Sequence, residues 1–222
     1  MPVIKKLPTN GSEIVFSLQP WVSVGKKSNN CYAYAVNDFE LYRIQKSTPG
    51  DRTKRNNSRL PPYSTVSGLS KRMLLDNPKK IYKTRACTKC RKNFYKIMMF
   101  TSLDNGIPGT FGDFHYYKQH SEVQYRVKPG DTYVKIAKFF GVPVKRVQAA
   151  GKIVPGKTLQ FKANCWSHKQ GWCTGPLLKD ASGKPIRDPR LADKKYPGLN
   201  YNIYGGSFCV KNKGVDVGKT HA

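Results

Sequence analysis

A chain of 222 residues with 40 Lys and Arg against 13 Asp and Glu carries a formal net charge of +27. A surface of one sign repels itself and gathers polyanions, which argues against an ordinary free cytosolic enzyme. Thirteen Tyr, 10 Phe and 3 Trp are enough to bury a core, which argues against a wholly disordered basic protein. No apolar run approaches the roughly 20 residues of a membrane-spanning helix, and the opening residues lack the apolar stretch of a secretory leader. Synthesis in the cytosol and no membrane span are therefore expected.

In chain order, Glu13–Leu18 reads as a strand stopped by Pro20. Ser28-Asn-Asn30 supplies capping side chains for a helix over Cys31–Tyr42, with apolar positions 32, 35, 36 and 39 on one face. Thr48-Pro-Gly-Asp51 is a turn, and the polar, Pro-containing stretch to Tyr63 is a loop. Ser64 or Thr65 caps a second helix over Val66–Leu75, and Phe94–Phe100, Asp113–Lys118 and Gly206–Val210 read as strands. Between the second helix and the first of these strands, residues 79–96 interleave Lys and Arg with aromatics, a pattern suited to nucleic acid or other polyanions without base-specific reading.

Residues 123–162 change character. Val123–Val127 is a short strand, Lys128-Pro-Gly-Asp131 a turn, and Thr132–Phe140 a helix with apolar residues at 133, 136, 137 and 140. Gly141-Val-Pro143 breaks it, Val144–Ala150 forms a second short helix, and Thr158–Phe161 is a closing strand. This strand–helix–helix–strand unit, with its Tyr125-Arg-Val-Lys-Pro-Gly-Asp-Thr132 start and Ile153-Val-Pro-Gly-Lys-Thr-Leu159 end, resembles a LysM domain. It departs from the family at Ala149-Ala-Gly-Lys152, where an Asn-containing link is usual. The resemblance implies binding of N-acetylglucosamine polymers between two loops, at Gly130, Asp131, Thr132 and Tyr133 on one side and Ile153, Pro155 and Gly156 on the other.

The flanking segments hold the candidate chemistry. Cys31 begins a capped helix, where the helix terminus favours a thiolate, and His115 follows on a later strand, the order in which an imidazole takes a thiol proton. Asn30 is a candidate oxyanion donor. His168 is the candidate for orienting His115, with Asp113 the weaker alternative. Asn29-Asn-Cys-Tyr-Ala-Tyr-Ala35, Asp113-Phe-His-Tyr-Tyr-Lys118, Trp166-Ser-His-Lys-Gln-Gly171, the run Asp180–Asp193 and Phe208-Cys-Val210 resemble a domain of bacteria and large DNA viruses akin to papain-like, cell-wall-peptidase-type hydrolases. That resemblance implies an α+β fold, a small antiparallel sheet with an N-terminal Cys helix formed by residues 1–122 and 163–222, with the βααβ module inserted at 123–162.

Cys87-Thr-Lys-Cys90 has the spacing of a metal knuckle or a redox pair, but no second such pair exists among Cys165, Cys173 and Cys209, so no metal or other cofactor is expected. Cys165 and Cys173 are spaced to close a small loop as a disulfide. The favoured reading is a structural protein of a virus particle, made in the host cytoplasm, contacting other capsid or virion proteins through both folds. The alternatives are an active cysteine peptidase or amidase directed to a glycan, and a nonspecific nucleic-acid-associated protein.

Overall fold

The computed structural model describes residues 7–23, 27–43, 45–54, 60–103, 111–171, 174–197 and 199–218. Three short helices precede the sheet. In α1 (Cys31–Val36) the Asn30 side chain accepts from the Ala33 N–H, and Asn37 enters the left-handed region (φ 60°) to stop the helix. The helix is therefore half the predicted length; an Asn tolerates this conformation better than most residues and so acts as a C-cap. All six of its residues are buried. The four-residue α2 (Asp51–Lys54) follows, then α3 (Val66–Asp76), capped by Thr65 accepting from the Gly68 N–H.

The strands are β1 (Ile81–Thr84), β2 (Phe94–Leu103), β3 (Phe111–Arg126), β4 (Thr158–Lys169), β5 (Pro176–Leu177), β6 (Lys195–Tyr196), β7 (Leu199–Asn200) and β8 (Ile203–Lys211). Six form an antiparallel sheet in the order β1-β8-β2-β3-β4-β5, and β6 pairs with β7 separately. The predicted strand over Glu13–Leu18 is replaced by a single bridge of Phe16 to Val123. The Glu13 carboxylate accepts from the Asn10 and Gly11 N–H groups, which bends this segment into a turn.

Alternation along the strands gives each face its own core. Tyr95, Ile97, Met99, Phe114, Tyr116, Phe208 and Val210 pack against α1 and α3. Met98, Phe100, Tyr117 and Trp166 pack on the other face with Ile186 and Tyr201. Strands β3 and β4 run on past the sheet, and the helices α4 (Tyr133–Phe140) and α5 (Val144–Gln148) join their far ends. A register shift between His120 and Glu122 and the Phe16 bridge mark where the sheet gives way to this module. Tyr125 lies opposite Leu159 there, so the two strands of the module are direct extensions of host strands rather than a separate two-stranded sheet. Arg187, from the loop after β5, donates to the Lys138 carbonyl (3.1 Å) and the Phe139 carbonyl at the C-terminal end of α4, where a cation is favoured.

Cys90 is bonded to Cys209 on β8. The knuckle and the Cys87–Cys90 redox pair are corrected accordingly: one sulfur of the motif is committed across 119 residues, and Cys87 is exposed. Cys165 is buried on β4, and Cys173 lies outside the described residues.

Candidate functional site

Cys31, His115, Asn30 and Asp113 line one cavity of about 420 Å³, together with Tyr63 and Tyr201. His168 stands behind His115, and the geometry fixes the proton positions in both rings. The His168 Nε2 atom is 2.9 Å from the Lys179 carbonyl oxygen, which can only accept, so Nε2 carries the proton. In a neutral ring Nδ1 is then the acceptor. It lies 2.8 Å from His115 Nε2, which must donate, leaving a lone pair on His115 Nδ1. Tyr201 stacks on His115 at 4.9 Å between ring centres, and Tyr117 stacks on His168 at 5.1 Å. Of the two expected partners of His115, His168 is the one in contact with its ring. Asp113 instead accepts from the Tyr201 hydroxyl (2.8 Å) and the Phe114 N–H.

The Cys31 sulfur donates to the Phe114 carbonyl at 3.6 Å, and no hydrogen bond joins it to His115 among the described residues. The expected lowering of the thiol pKa is reversed. Burial pushes it up to about 12, reinforced by the negative charge of Asp113, because a six-residue helix offsets little of the cost of a buried thiolate. Burial, and then the neighbouring His168, hold His115 well below the usual imidazole range, and burial takes His168 down to about 4. The resting pair is thiol and neutral imidazole. Asn30 is a structural residue before it is a donor: its Oδ1 caps α1 at 3.1 Å and its Nδ2 donates to the Ser47 carbonyl at 2.7 Å. The N–H of Cys31, first in the helix, has no intrahelical partner.

The opposite face of the sheet carries a second buried chain of polar groups that the sequence reading missed. His120 Nδ1 donates to the Ile14 carbonyl (2.6 Å), its Nε2 accepts from Ser167 (2.6 Å), and Ser167 accepts from the Tyr34 hydroxyl (2.6 Å). Beside it the Lys118 ammonium donates to the Tyr34 carbonyl and to Asn37 Oδ1, and lies 4.9 Å from the centre of the Tyr34 ring. The alternation of Phe114, Tyr116, Lys118 and His120 along β3 was the available signal: it places Lys118 and His120 on the inward face of a strand.

In the inserted module Thr132 caps α4 by accepting from the Lys135 N–H, and Gly141 (φ 59°) ends the helix in the left-handed region. Backbone bonds from Val127 N–H to Lys157 O and from Gly156 N–H to Val127 O, both 2.8 Å, pin the closing loop beside β3. The sequence of residues 125–161 matches the family model of the LysM domain. This module is a LysM domain. No curated protein and no solved structure is significantly similar to the chain.

The LysM domain, a carbohydrate-binding type of module, brings its two predicted sugar loops side by side. Within them the roles divide. Asp131 Oδ2 accepts from the Tyr125 hydroxyl (2.9 Å) and the Lys128 N–H (2.7 Å), which shapes the turn through Gly130 (φ 77°). Thr132 is the helix cap, and Tyr133 donates to the Gly151 carbonyl (3.2 Å), which secures the link that departs from the family pattern. Ile153 packs against the domain core, while Pro155 and Gly156 are exposed. Asp131, Pro155 and Gly156 border a groove of about 730 Å³ that extends from the LysM domain to Phe16, Leu18 and the Pro176–Lys179 segment. Among the described residues no helix is long and apolar enough to cross a membrane, and no group of three or more His, Cys, Asp and Glu is placed to hold a metal ion.

Proposed function

We propose that the chain is a cysteine hydrolase of amide or peptide bonds, directed to an N-acetylglucosamine-containing wall or glycan by its LysM domain. The observation that carries this reading is the cavity into which Cys31 and His115 both open, with His115 bonded to a His168 whose own proton is fixed by the Lys179 carbonyl. In this mechanism the thiol attacks the scissile carbonyl as its proton passes to His115 Nδ1, starting from a neutral pair rather than a standing ion pair. His168 steadies the imidazolium as it forms, and the Cys31 N–H faces the developing oxyanion. The Cys helix packed on an antiparallel sheet supports the papain-like comparison.

The test incubates the full chain with purified peptidoglycan and follows the release of new amino groups. Cys31→Ala should abolish release while leaving retention on the polymer unchanged, and His168→Ala should slow release by about 10²-fold or more. Undiminished release by Cys31→Ala would refute the hydrolase.

A second reading is favoured by the neutral, buried thiol and the tyrosines walling its cavity. In it the site is retired, and the chain is a structural component of a virus particle assembled in the host cytoplasm, contacting other virion proteins. Iodoacetamide separates the two: rapid labelling of Cys31 at neutral pH, lost in His115→Ala, supports the hydrolase, and inert Cys31 supports the scaffold.

A further inference from the structure

The groove between the LysM domain and the host sheet has a character that a neutral sugar polymer does not explain. Its walls include Tyr125, Ile136 and Phe139 from the LysM domain and Leu18 and Leu177 from the host, the last two 36% and 38% exposed. Around these apolar surfaces stand Arg126, Lys128, Lys135 and Lys179, all exposed. None of the four forms an ion pair among the described residues. The one carboxylate in the groove, Asp131, is turned inward to hold the Tyr125 hydroxyl and the Lys128 N–H. Across residues 125–161 the imbalance is eight Lys and Arg to that single Asp, and every one of the eight is exposed.

We propose that this groove binds an acidic glycan, a chain of sugar rings bearing carboxylate groups, in preference to a neutral one; the proposal rests on the glycan-binding reading of the LysM domain. Apolar walls suit the C–H faces of sugar rings, and polar groups placed at the edge of such a cleft select the ligand. Four cations without an ion-pair partner among the described residues border one groove, and each attracts an anion bound there over a screening length of about 10 Å. A neutral N-acetylglucosamine polymer gains hydrogen bonds but no ion pairing from them. Nucleic acid is disfavoured because base stacking needs an open aromatic face, and the groove's own rings, Phe16, Tyr125 and Phe139, are buried or half-buried, with the Tyr125 hydroxyl held on Asp131. The large exposed tyrosines, Tyr42, Tyr63 and Tyr204, all lie outside the groove.

The experiment titrates the full chain by calorimetry with chitohexaose, with a hyaluronan hexasaccharide and with a single-stranded hexadeoxynucleotide. The hyaluronan fragment also contains N-acetylglucosamine but adds a carboxylate on alternate rings. It should bind at least 10-fold more tightly than chitohexaose at 50 mM salt, and the advantage should shrink by 300 mM. K128Q/K135Q should erase that advantage. K145Q/R146Q, the same charge change on α5 outside the groove, should leave most of it. Equal affinity for the two saccharides overturns this proposal alone, and loss of preference in both variant pairs overturns the groove as its source. Tightest binding of the oligonucleotide, sensitive to K128Q/K135Q, assigns the groove to nucleic acid instead. Binding of neither saccharide overturns the glycan reading with it.

Discussion

The LysM domain and the sheet it extends handle polar residues in opposite ways. The LysM domain keeps all eight of its Lys and Arg residues in solvent and buries only apolar side chains at its centre. The sheet buries Lys96, Lys118, Lys169, His115, His120 and His168, and holds their nitrogens on carbonyls, hydroxyls and one another rather than on carboxylates. The lesson is that one basic composition serves two purposes. Outside, charge stays solvated and open to a partner; inside, neutral or carbonyl-bound nitrogen fixes geometry, at a desolvation cost that only complete hydrogen bonding offsets.

The comparison can be broken from the side of the sheet. Replacing Cys90 and Cys209 together with Ser releases a 119-residue separation and should cost about 4–5 kcal/mol in the chain-entropy model. Denaturant unfolding followed by tryptophan fluorescence measures this, since Trp21 and Trp166 are both in the sheet's surroundings. A loss confined to the LysM domain would contradict the assignment of the disulfide to the sheet.

Acid should separate the two regions. Burial takes His120 down to about 3 and His168 to about 4, and His115 is also lowered. The fold therefore favours their neutral forms. That stability is fully present above the unfolded imidazole value of about 6.5 and is lost as pH falls towards the folded values. By pH 4 the loss should be about 3 kcal/mol for each of His120 and His168. The LysM domain contains no histidine. Hydrogen exchange between pH 7 and pH 4 should show deprotection beginning in β2, β3 near His115 and β4 near His168, before the amides around Ile136 and Leu159. Simultaneous loss would show that the shared strands make the two regions one cooperative unit.

The smallest effect sharpens the comparison from the other side. Thr132→Ala removes the cap of α4 and should cost about 1 kcal/mol. The change should register in exchange at Lys135 and Ile136 and leave the sheet untouched.

Sequence made these regions legible to different degrees. The LysM domain is contiguous, and its turn, cap and stripe residues act within a few positions of one another, so spacing alone conveys them. The His115–His168 contact joins residues 53 apart, and it was approachable only because each sits in a recognisable block. The Lys179 carbonyl and the stacked Tyr201 carry no sequence signal at all, since a backbone oxygen can come from any residue. Helix α1 is shorter than its apolar spacing predicts because Asn37, an ordinary polar position in the sequence, takes a positive φ. The partner of Cys90 was hidden for a similar reason: pairing across the sheet depends on β1 and β2 both lying beside β8, which local spacing does not encode.

The Cys90–Cys209 bond also divides the chain topologically. Residues 90–209 form a closed covalent ring that contains His115, His168, Lys179 and the whole LysM domain. Cys31 lies outside it, on an arm attached at one end. Under unfolding the ring keeps His115, His168 and the LysM domain within a bounded loop, whereas the Cys31 thiol is free to leave. Cys31 is thus a docked part, and the cavity it shares with His115 is complete only while the segment from Leu7 to Arg43 remains seated on the ring.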